Sequence, residues 1–271
     1  MKVYISSDME GTAGIVEWAQ CRGPGRAYEL GCGLLLAEVN AAIDGAVAGG
    51  ATSVLVNDSH GQMANLPPQE LHARASYLSG RYKPGYMMEG LDASYDVVLY
   101  VSYHAAMGTA GVLSHTYNPR AVGEVRLDGT VAGESGINAL VAAHHGVPVG
   151  LVTGDQYVGP EAEPFCPGVV AVAVKRSISR FAAESLHPEV AAELIRAGAE
   201  RAVAHPPRGQ AFGRSVTLEV DWLTAGQAEL AAGIPGMLRS AGRTTVCTGS
   251  NLELVYRTFV ATLQVTRGLV D

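Results

Sequence analysis

The chain opens with Val3-Tyr4-Ile5-Ser6-Ser7-Asp8-Met9-Glu10-Gly11, a β-branched and aromatic run that breaks into acidic residues and a glycine. A run of this kind predicts a buried strand that ends in a loop. A long helical pattern follows from Arg26 to Ala48, where apolar residues recur at helical spacing and Gly49-Gly50 supplies a left-handed stop. The next strand, Ser53–Asn57, completes a strand-helix-strand unit.

Two further apolar runs have the same character as the first strands, at Asp96–Tyr103 and Val147–Thr153. Near-continuous apolar strands are typical of a parallel sheet that is covered on both faces. We therefore predict an α/β fold with a mostly parallel sheet covered by helices. Between these two runs, Asp128-Gly129 separates short apolar segments and predicts a type I′ hairpin, and Ser135–His145 reads as a helix.

The break Pro206-Pro207-Arg208-Gly209 follows an amphipathic helical pattern from Pro188 to Val203. We place the domain boundary there. Residues 1–206 would form a metal-binding catalytic α/β domain, and residues 207–271 a smaller α+β portion.

The composition is that of a well-packed globular protein, with 48% hydrophobic and 17% charged residues among 271. A net charge of -7 without a Lys/Arg cluster argues against nucleic-acid and anionic membrane partners. No uninterrupted apolar run reaches the ~18 residues of a spanning helix. Since no export signal is visible and the four cysteines are scattered without a CxxC pair, we expect a cytoplasmic protein.

Polar residues capable of chemistry follow the predicted strands. Asp8 and Glu10 close the first strand, His60 the second and His104 the third, and Glu134 lies at the start of a helix. Because ligands bind outside the carboxyl ends of strands in open α/β sheets, we expect these side chains to meet at one edge.

Two imidazoles and three carboxylates suit zinc, or manganese or cobalt. Their number exceeds what one tetrahedral ion uses, whereas two ions that share a carboxylate would use it. Such a pair can polarise a carbonyl and lower the pKa of a bound water, as hydrolysis requires.

Each residue also has a purely structural interpretation. Asp8 could cap a helix or accept backbone hydrogen bonds in a turn. Glu134 could interact favourably with the dipole at the N-terminus of a helix. His60 lies among turn-forming residues, of which Asp58 could form the turn or bond a metal-bound imidazole. His104 could be a satisfied core histidine.

His115 lies between Ser114 and Thr116 and has no metal partner near it in sequence. A surface residue and an acid/base group remain equally open for it. Asn138, one helical turn after Glu134, could face the same way as Glu134.

One resemblance is to the haloacid-dehalogenase-like phosphatases, whose Asp-x-Asp-Gly-Thr signature is similar to Asp8-Met9-Glu10-Gly11-Thr12. It implies a magnesium-dependent phosphatase with Asp8 as nucleophile. However, Glu10 replaces the second Asp of that signature. Lys175 comes after Gly154-Asp155, whereas the lysine of the phosphatase pattern comes before such a pair. His60 and His104 would also have no role.

A closer resemblance rests on five separated motifs that occur in the same order as in the DppA-like zinc D-aminopeptidases. They are Ser7-Asp8-Met9-Glu10-Gly11, Val54-Leu55-Val56-Asn57-Asp58-Ser59-His60, Tyr103-His104-Ala105, Gly111-Val112-Leu113-Ser114-His115 and Gly133-Glu134-Ser135-Gly136-Ile137-Asn138-Ala139. Further similarity extends over nearly the whole chain. Departures between Glu17 and Arg26 and between Asn118 and Val122 concern substrate preference more than the metal site.

This resemblance implies a ring of ten subunits that admits short peptides with an N-terminal D-residue, such as D-Ala-D-Ala. It implies that Asp8 bridges two zinc ions per subunit, that Glu10 and His60 complete one site, and that His104 and Glu134 complete the other. By the same resemblance, His115 is the catalytic base or nucleophile.

We therefore predict a binuclear zinc aminopeptidase that acts through a metal-activated hydroxide and assembles as a homo-oligomer. The alternatives are the dehalogenase-like phosphatase and a non-catalytic α/β module that binds a small ligand at the same edge.

Overall fold

A computed structural model describes residues 1–208 and 211–269. Strands in these residues form two sheets. They are β1 (Lys2–Ser7), β2 (Ser53–Asp58), β3 (Ala75–Leu78), β4 (Val97–Val101), β5 (Val122–Leu127), β6 (Thr130–Val131), β7 (Val149–Asp155), β8 (Val170–Ser179), β9 (Ala182–Ser185), β10 (Val216–Trp222), β11 (Leu238–Arg239) and β12 (Thr244–Gly249).

The larger sheet has the order β3-β2-β1-β4-β7-β8-β9. Its neighbouring strands are parallel, apart from the antiparallel pair β8–β9. This confirms the predicted α/β fold with a mostly parallel sheet. The central strand β1 pairs with both β2 and β4, so the loops that follow these three strands leave the sheet side by side.

Helices cover both faces of this sheet. They are α1 (Trp18–Cys21), α2 (Arg26–Ala48), α3 (Glu134–His144), α4 (Val158–Ala162), α5 (Pro188–Ala204), α6 (Ala225–Ala231) and α7 (Leu252–Thr266), with short 3₁₀ turns at Tyr86–Met88 and Arg267–Leu269. Side chains of β1 alternate between two apolar cores. Val3 and Ile5 pack with α2 and α5, whereas Tyr4 points to the core that contains α3 and α7.

Helix α2 is the longest element and packs closely against α5. Gly45 permits this approach, because a side chain there would collide with the backbone oxygen of Arg196. By length and composition alone α2 could cross a membrane, yet 56% of its most apolar window is buried inside the fold. Its apolar character is therefore accounted for by the core.

The smaller sheet is antiparallel, with the order β11-β12-β10-β5-β6. Its β5–β6 hairpin turns at Asp128 and Gly129, both with positive φ, which confirms the predicted type I′ turn. Strand β10 pairs with β5, so strands from before and after Pro207 share one sheet. The boundary at residues 206 and 207 stays a prediction, and Gly209 of the break lies outside the described residues.

Candidate metal centre

The predicted ligands meet at the carboxyl edge of the larger sheet. Asp8 and Glu10 follow β1, His60 follows β2, His104 follows β4, and Glu134 is the first residue of α3. All five side chains are buried, although they carry polar or charged groups. The structure thus brings the five residues together at one edge of the sheet, as expected. The distances between their side-chain atoms show which of them could share a metal ion.

The carboxylate of Asp8 lies between two histidines. Its Oδ1 atom is 3.1 Å from His60 Nδ1, and its Oδ2 atom is 3.3 Å from His104 Nε2. Each histidine also faces a second carboxylate, since His60 Nδ1 is 2.9 Å from Glu10 Oε2 and His104 Nε2 is 3.3 Å from Glu134 Oε1. Two similar sets of donors thus share Asp8.

Backbone carbonyls fix the orientation of the imidazoles. His60 Nε2 lies 2.8 Å from the oxygen of Cys21, and His104 Nδ1 lies 3.0 Å from that of Ala105. A carbonyl oxygen only accepts, so these nitrogens carry the hydrogens. The opposite nitrogen of each ring is directed at the carboxylates, where it either holds a second proton or offers its lone pair to a metal cation.

Several buried atoms in this cluster have no hydrogen-bond partner among the described residues, namely Asp8 Oδ2, Glu10 Oε2 and His104 Nε2. Buried polar atoms are costly unless something pairs with them. Two trios each bring three ligand atoms within 4.8 Å of one another: Asp8, Glu10 and His104, and His104, His115 and Glu134. The residues therefore fit a bound metal.

The electrostatics of the metal-free cluster follow from its opposed charges. Burial opposes ionisation of Asp8, but the facing imidazoles of His104 and His60 hold the pKa of its carboxyl well below the usual range. Burial would lower the pKa of His60 and His104, yet the facing carboxylates raise it well above the ordinary value. The carboxylates thus favour a positive charge at these imidazoles, which a metal cation would supply in place of protons.

His115 is buried beside the cluster, so its interpretation as a surface residue is wrong. Its ring stacks on that of His104 with centroids 4.1 Å apart, and its Nε2 atom is 3.7 Å from Glu134 Oε1. Its Nδ1 atom donates to the oxygen of Leu113 at 3.0 Å. Burial, and then the charge of His104, lower the pKa of His115 to about 3, so the imidazole is neutral near pH 7.

Asp58 and Asn138 are buried beside the site and bond other residues than the histidines. Asp58 accepts hydrogen bonds from the backbone and side chain of Asn65 and from the backbone of Leu66, so it forms the turn and does not bond His60. Asn138 bonds the hydroxyls of Tyr103 and Tyr117. The backbone N–H of the same Tyr117 also donates to Glu134, so these two α3 side chains share a neighbour, as their spacing of one helical turn allows.

Lys175 positions the ligand loop and was not singled out from the sequence as a site residue. Its buried ammonium group donates to the backbone oxygens of Glu10, Thr12 and Ile15 at 2.5, 2.9 and 2.7 Å. Nearby, Glu38 accepts from the backbone of Ala13 at 2.8 Å. The available signal was a single lysine at the end of the apolar run of β8.

A cavity of about 630 Å³ opens over the cluster. Asp8, Glu10, His60, His115 and Glu134 line it, whereas His104 does not. A buried histidine and carboxylate cluster that lines a cavity at the carboxyl edge of a parallel sheet is typical of a metallohydrolase.

Comparison with known proteins defines the class further. The chain matches the D-aminopeptidase family over residues 1–261 and belongs to that family. It is 38% identical over 249 residues to a D-aminopeptidase of Bacillus subtilis (strain 168), which covers 91% of this chain and 90% of that protein. Its fold is similar to the solved structure of the Zn-dependent D-aminopeptidase DppA from Bacillus subtilis, a self-compartmentalizing protease. The TM-score is 0.90, with 33% identity over 98% of both chains.

These matches make the chain a metallo-aminopeptidase. They favour the peptidase interpretation over both the dehalogenase-like phosphatase and the non-catalytic module. The geometry agrees, because His60 and His104, which have no role in the phosphatase interpretation, both lie against Asp8.

Replacing Lys175 with methionine should destabilise the fold through the ligand loop. The substitution removes three hydrogen bonds from a charged donor and leaves three carbonyls without their partner, at a cost of about 3 kcal/mol. Denaturant unfolding measures the loss, and amide hydrogen exchange should increase in residues 11–16. The matched control is Arg176→Met at the next position, an exposed residue paired with Glu184, which should change stability by less than about 1 kcal/mol. Equal unfolding midpoints for the two variants would contradict this role of Lys175.

Proposed function

We propose that this chain is a binuclear zinc aminopeptidase that hydrolyses short peptides with an N-terminal D-amino acid, of the D-Ala-D-Ala type. The observation that carries the proposal is the buried carboxylate of Asp8, which directs one oxygen toward His60 and the other toward His104. The family and the zinc dependence of the similar DppA structure support the metal and the substrate class.

The cluster would hold two ions per subunit with Asp8 shared between them. Glu10 and His60 would complete one site, and His104 and Glu134 the other. The same nitrogen and oxygen donors would accept manganese or cobalt. Bound metal supplies Lewis acidity toward the scissile carbonyl and lowers the pKa of water.

His115 would move the proton in this reaction. Its Nδ1 hydrogen is held by the oxygen of Leu113, so the neutral ring presents the lone pair of Nε2 to the cavity floor. That atom can accept a proton from the attacking water and return it to the leaving amine. The stacked ring of His104 and the edge contact with Trp18, 5.4 Å between centroids, fix the plane of the imidazole.

We also propose that the subunits assemble into a homo-oligomeric ring of ten, located in the cytoplasm. Large apolar side chains stand exposed on the described surface, among them Tyr82, Leu238 and Ile178. The similar DppA structure is that of a self-compartmentalizing protease. A chamber of this kind would admit short peptides to the metal site and exclude folded proteins. The cytoplasmic location is supported by the four cysteines, all in the described part of the chain and all free.

The substitution Asp8→Ala should remove both ions and abolish hydrolysis of D-alanyl-D-alanine, because one carboxylate would serve two sites. His60→Ala and His104→Ala should each weaken mainly one ion. The measurement is metal content per chain by elemental analysis, alongside release of D-alanine. Asp44→Ala, at an exposed position that pairs with His72, is the matched control and should retain both ions. An Asp8→Ala protein with wild-type metal content would refute the shared carboxylate.

The substitution His115→Ala should preserve the metal content and lower the turnover number by about 10²- to 10⁴-fold, the range of a general acid/base group. His187→Ala, at a largely exposed histidine, serves as the control and should retain activity. Two results are incompatible with the proposed role: a His115→Ala protein that loses one ion, which would make the residue a ligand, and one that keeps full activity.

Light scattering after size-exclusion chromatography should report a mass close to ten times 28.2 kDa. The exposed apolar side chains would be covered between subunits in a closed symmetric ring. A monomer at micromolar concentration that still cleaves D-alanyl-D-alanine would refute the ring and leave the metal chemistry in place.

A further inference from the structure

The cavity over the metal ligands has a divided charge. Its three carboxylates, Asp8, Glu10 and Glu134, all belong to the ligand cluster. Among the described residues, the lining also contains four arginines, and no lysine or further carboxylate. We call these four residues the arginine wall: Arg22, Arg81, Arg120 and Arg267. None of these four guanidinium groups forms a salt bridge with a carboxylate within residues 1–208 and 211–269, in contrast to Arg126, Arg176, Arg196 and Arg257.

Arg22 is held close to the reacting groups. Its guanidinium lies 4.1 Å from the ring centroid of Trp18, and the edge of that ring contacts His115. Stacking on an indole fixes the plane of a guanidinium while leaving its hydrogen-bond donors available. Arg22 also follows Cys21, whose backbone oxygen orients His60. One short segment therefore connects a preorganised cation to two residues of the cluster.

Arg120 and Arg267 come from other parts of the chain, Arg120 from the loop before β5 and Arg267 from the 3₁₀ turn after α7. Arg120 is three residues beyond Tyr117, whose backbone N–H donates to Glu134 at 2.7 Å. Three extended residues span at most about 11 Å, so the backbone of Arg120 lies within about that distance of Tyr117. An extended dipeptide spans about 7 Å, and a substrate of two or three residues can therefore extend from the cluster to the wall. Arg267 donates to the hydroxyl of Tyr86, which stacks on Tyr117.

We propose that the arginine wall binds the C-terminal carboxylate of the peptide substrate, with Arg22 as the principal contact. A guanidinium matches a carboxylate with two parallel hydrogen bonds. The divided charge of the cavity suits a zwitterion, with the N-terminal amine at the acidic base and the carboxylate at the wall. The enzyme then selects short peptides with a free C-terminus. This inference rests on the proposed peptidase function.

The test compares D-alanyl-D-alanine with its C-terminal amide on the zinc-loaded full-length protein. We expect kcat/KM to be about 10- to 100-fold higher for the acid, the range of a hydrogen-bonded charge pair. The difference should lie mainly in KM, because the contact is equally present in the ground and transition states. Arg22→Gln should lower kcat/KM for the acid at least tenfold more than that for the amide, and Arg22→Lys should restore part of the preference.

Arg196→Gln is the matched control, because this exposed arginine on α5 pairs with Glu200 and does not line the cavity. It should retain the wild-type preference, and all variants should retain their zinc. Equal kcat/KM for acid and amide in the wild-type protein would overturn the inference while the proposed function stands. An equal loss for both substrates in Arg22→Gln would also overturn it. Failure of the zinc-loaded wild type to cleave either substrate would refute the proposed function itself.

Discussion

The parallel pairing of β1 with both β2 and β4 is the constraint on which the site depends. The ladder continues past the strand ends, where the N–H of Asp8 donates to the oxygen of Val101 and the N–H of Ser59 donates to that of Ser7. Three loops are therefore held in register where they leave the sheet. Because side chains at fixed positions after each strand then meet, a cluster of opposite charges forms without any single loop having to enclose it.

The loops that carry the ligands lack regular structure, so their backbone acceptors need other partners. Two lysines meet this need. Lys175 bonds three carbonyls of the loop after β1, while Lys83 bonds the side chain of Asn57 and the backbone oxygens of Asp58 and Leu78. An ammonium group can bond three acceptors at once, which suits irregular backbone. The candidate metal centre is thus flanked by loops whose backbone is held by hydrogen bonds, which suits ligands that must keep a fixed geometry.

The main sheet, and the meeting of polar residues at its edge, could be predicted because buried parallel strands are apolar throughout and end abruptly in polar residues. The sequence does not predict β3 and β12. In β12 the buried positions are Thr245 and Cys247, so the inward face of this strand is not marked by large apolar residues. The pairing of β10 with β5 joins segments about 90 residues apart, which local patterns do not report. Likewise, the burial of His115 and the contact of His60 with Cys21 depend on loops from distant parts of the chain. The residue types indicate the chemistry of the site, whereas the hydrogen-bond partners of these residues depend on the packing of the folded chain.

The shared sheet on either side of Pro207 has a consequence for synthesis of the chain. Glu134 begins α3 directly after the β5–β6 hairpin, and that hairpin is flanked by β10, which is translated much later. Until β10 leaves the ribosome, β5 lacks one of its two neighbours in the smaller sheet. The sheet that precedes the candidate site residue Glu134 is thus completed only when most of the polypeptide has been made.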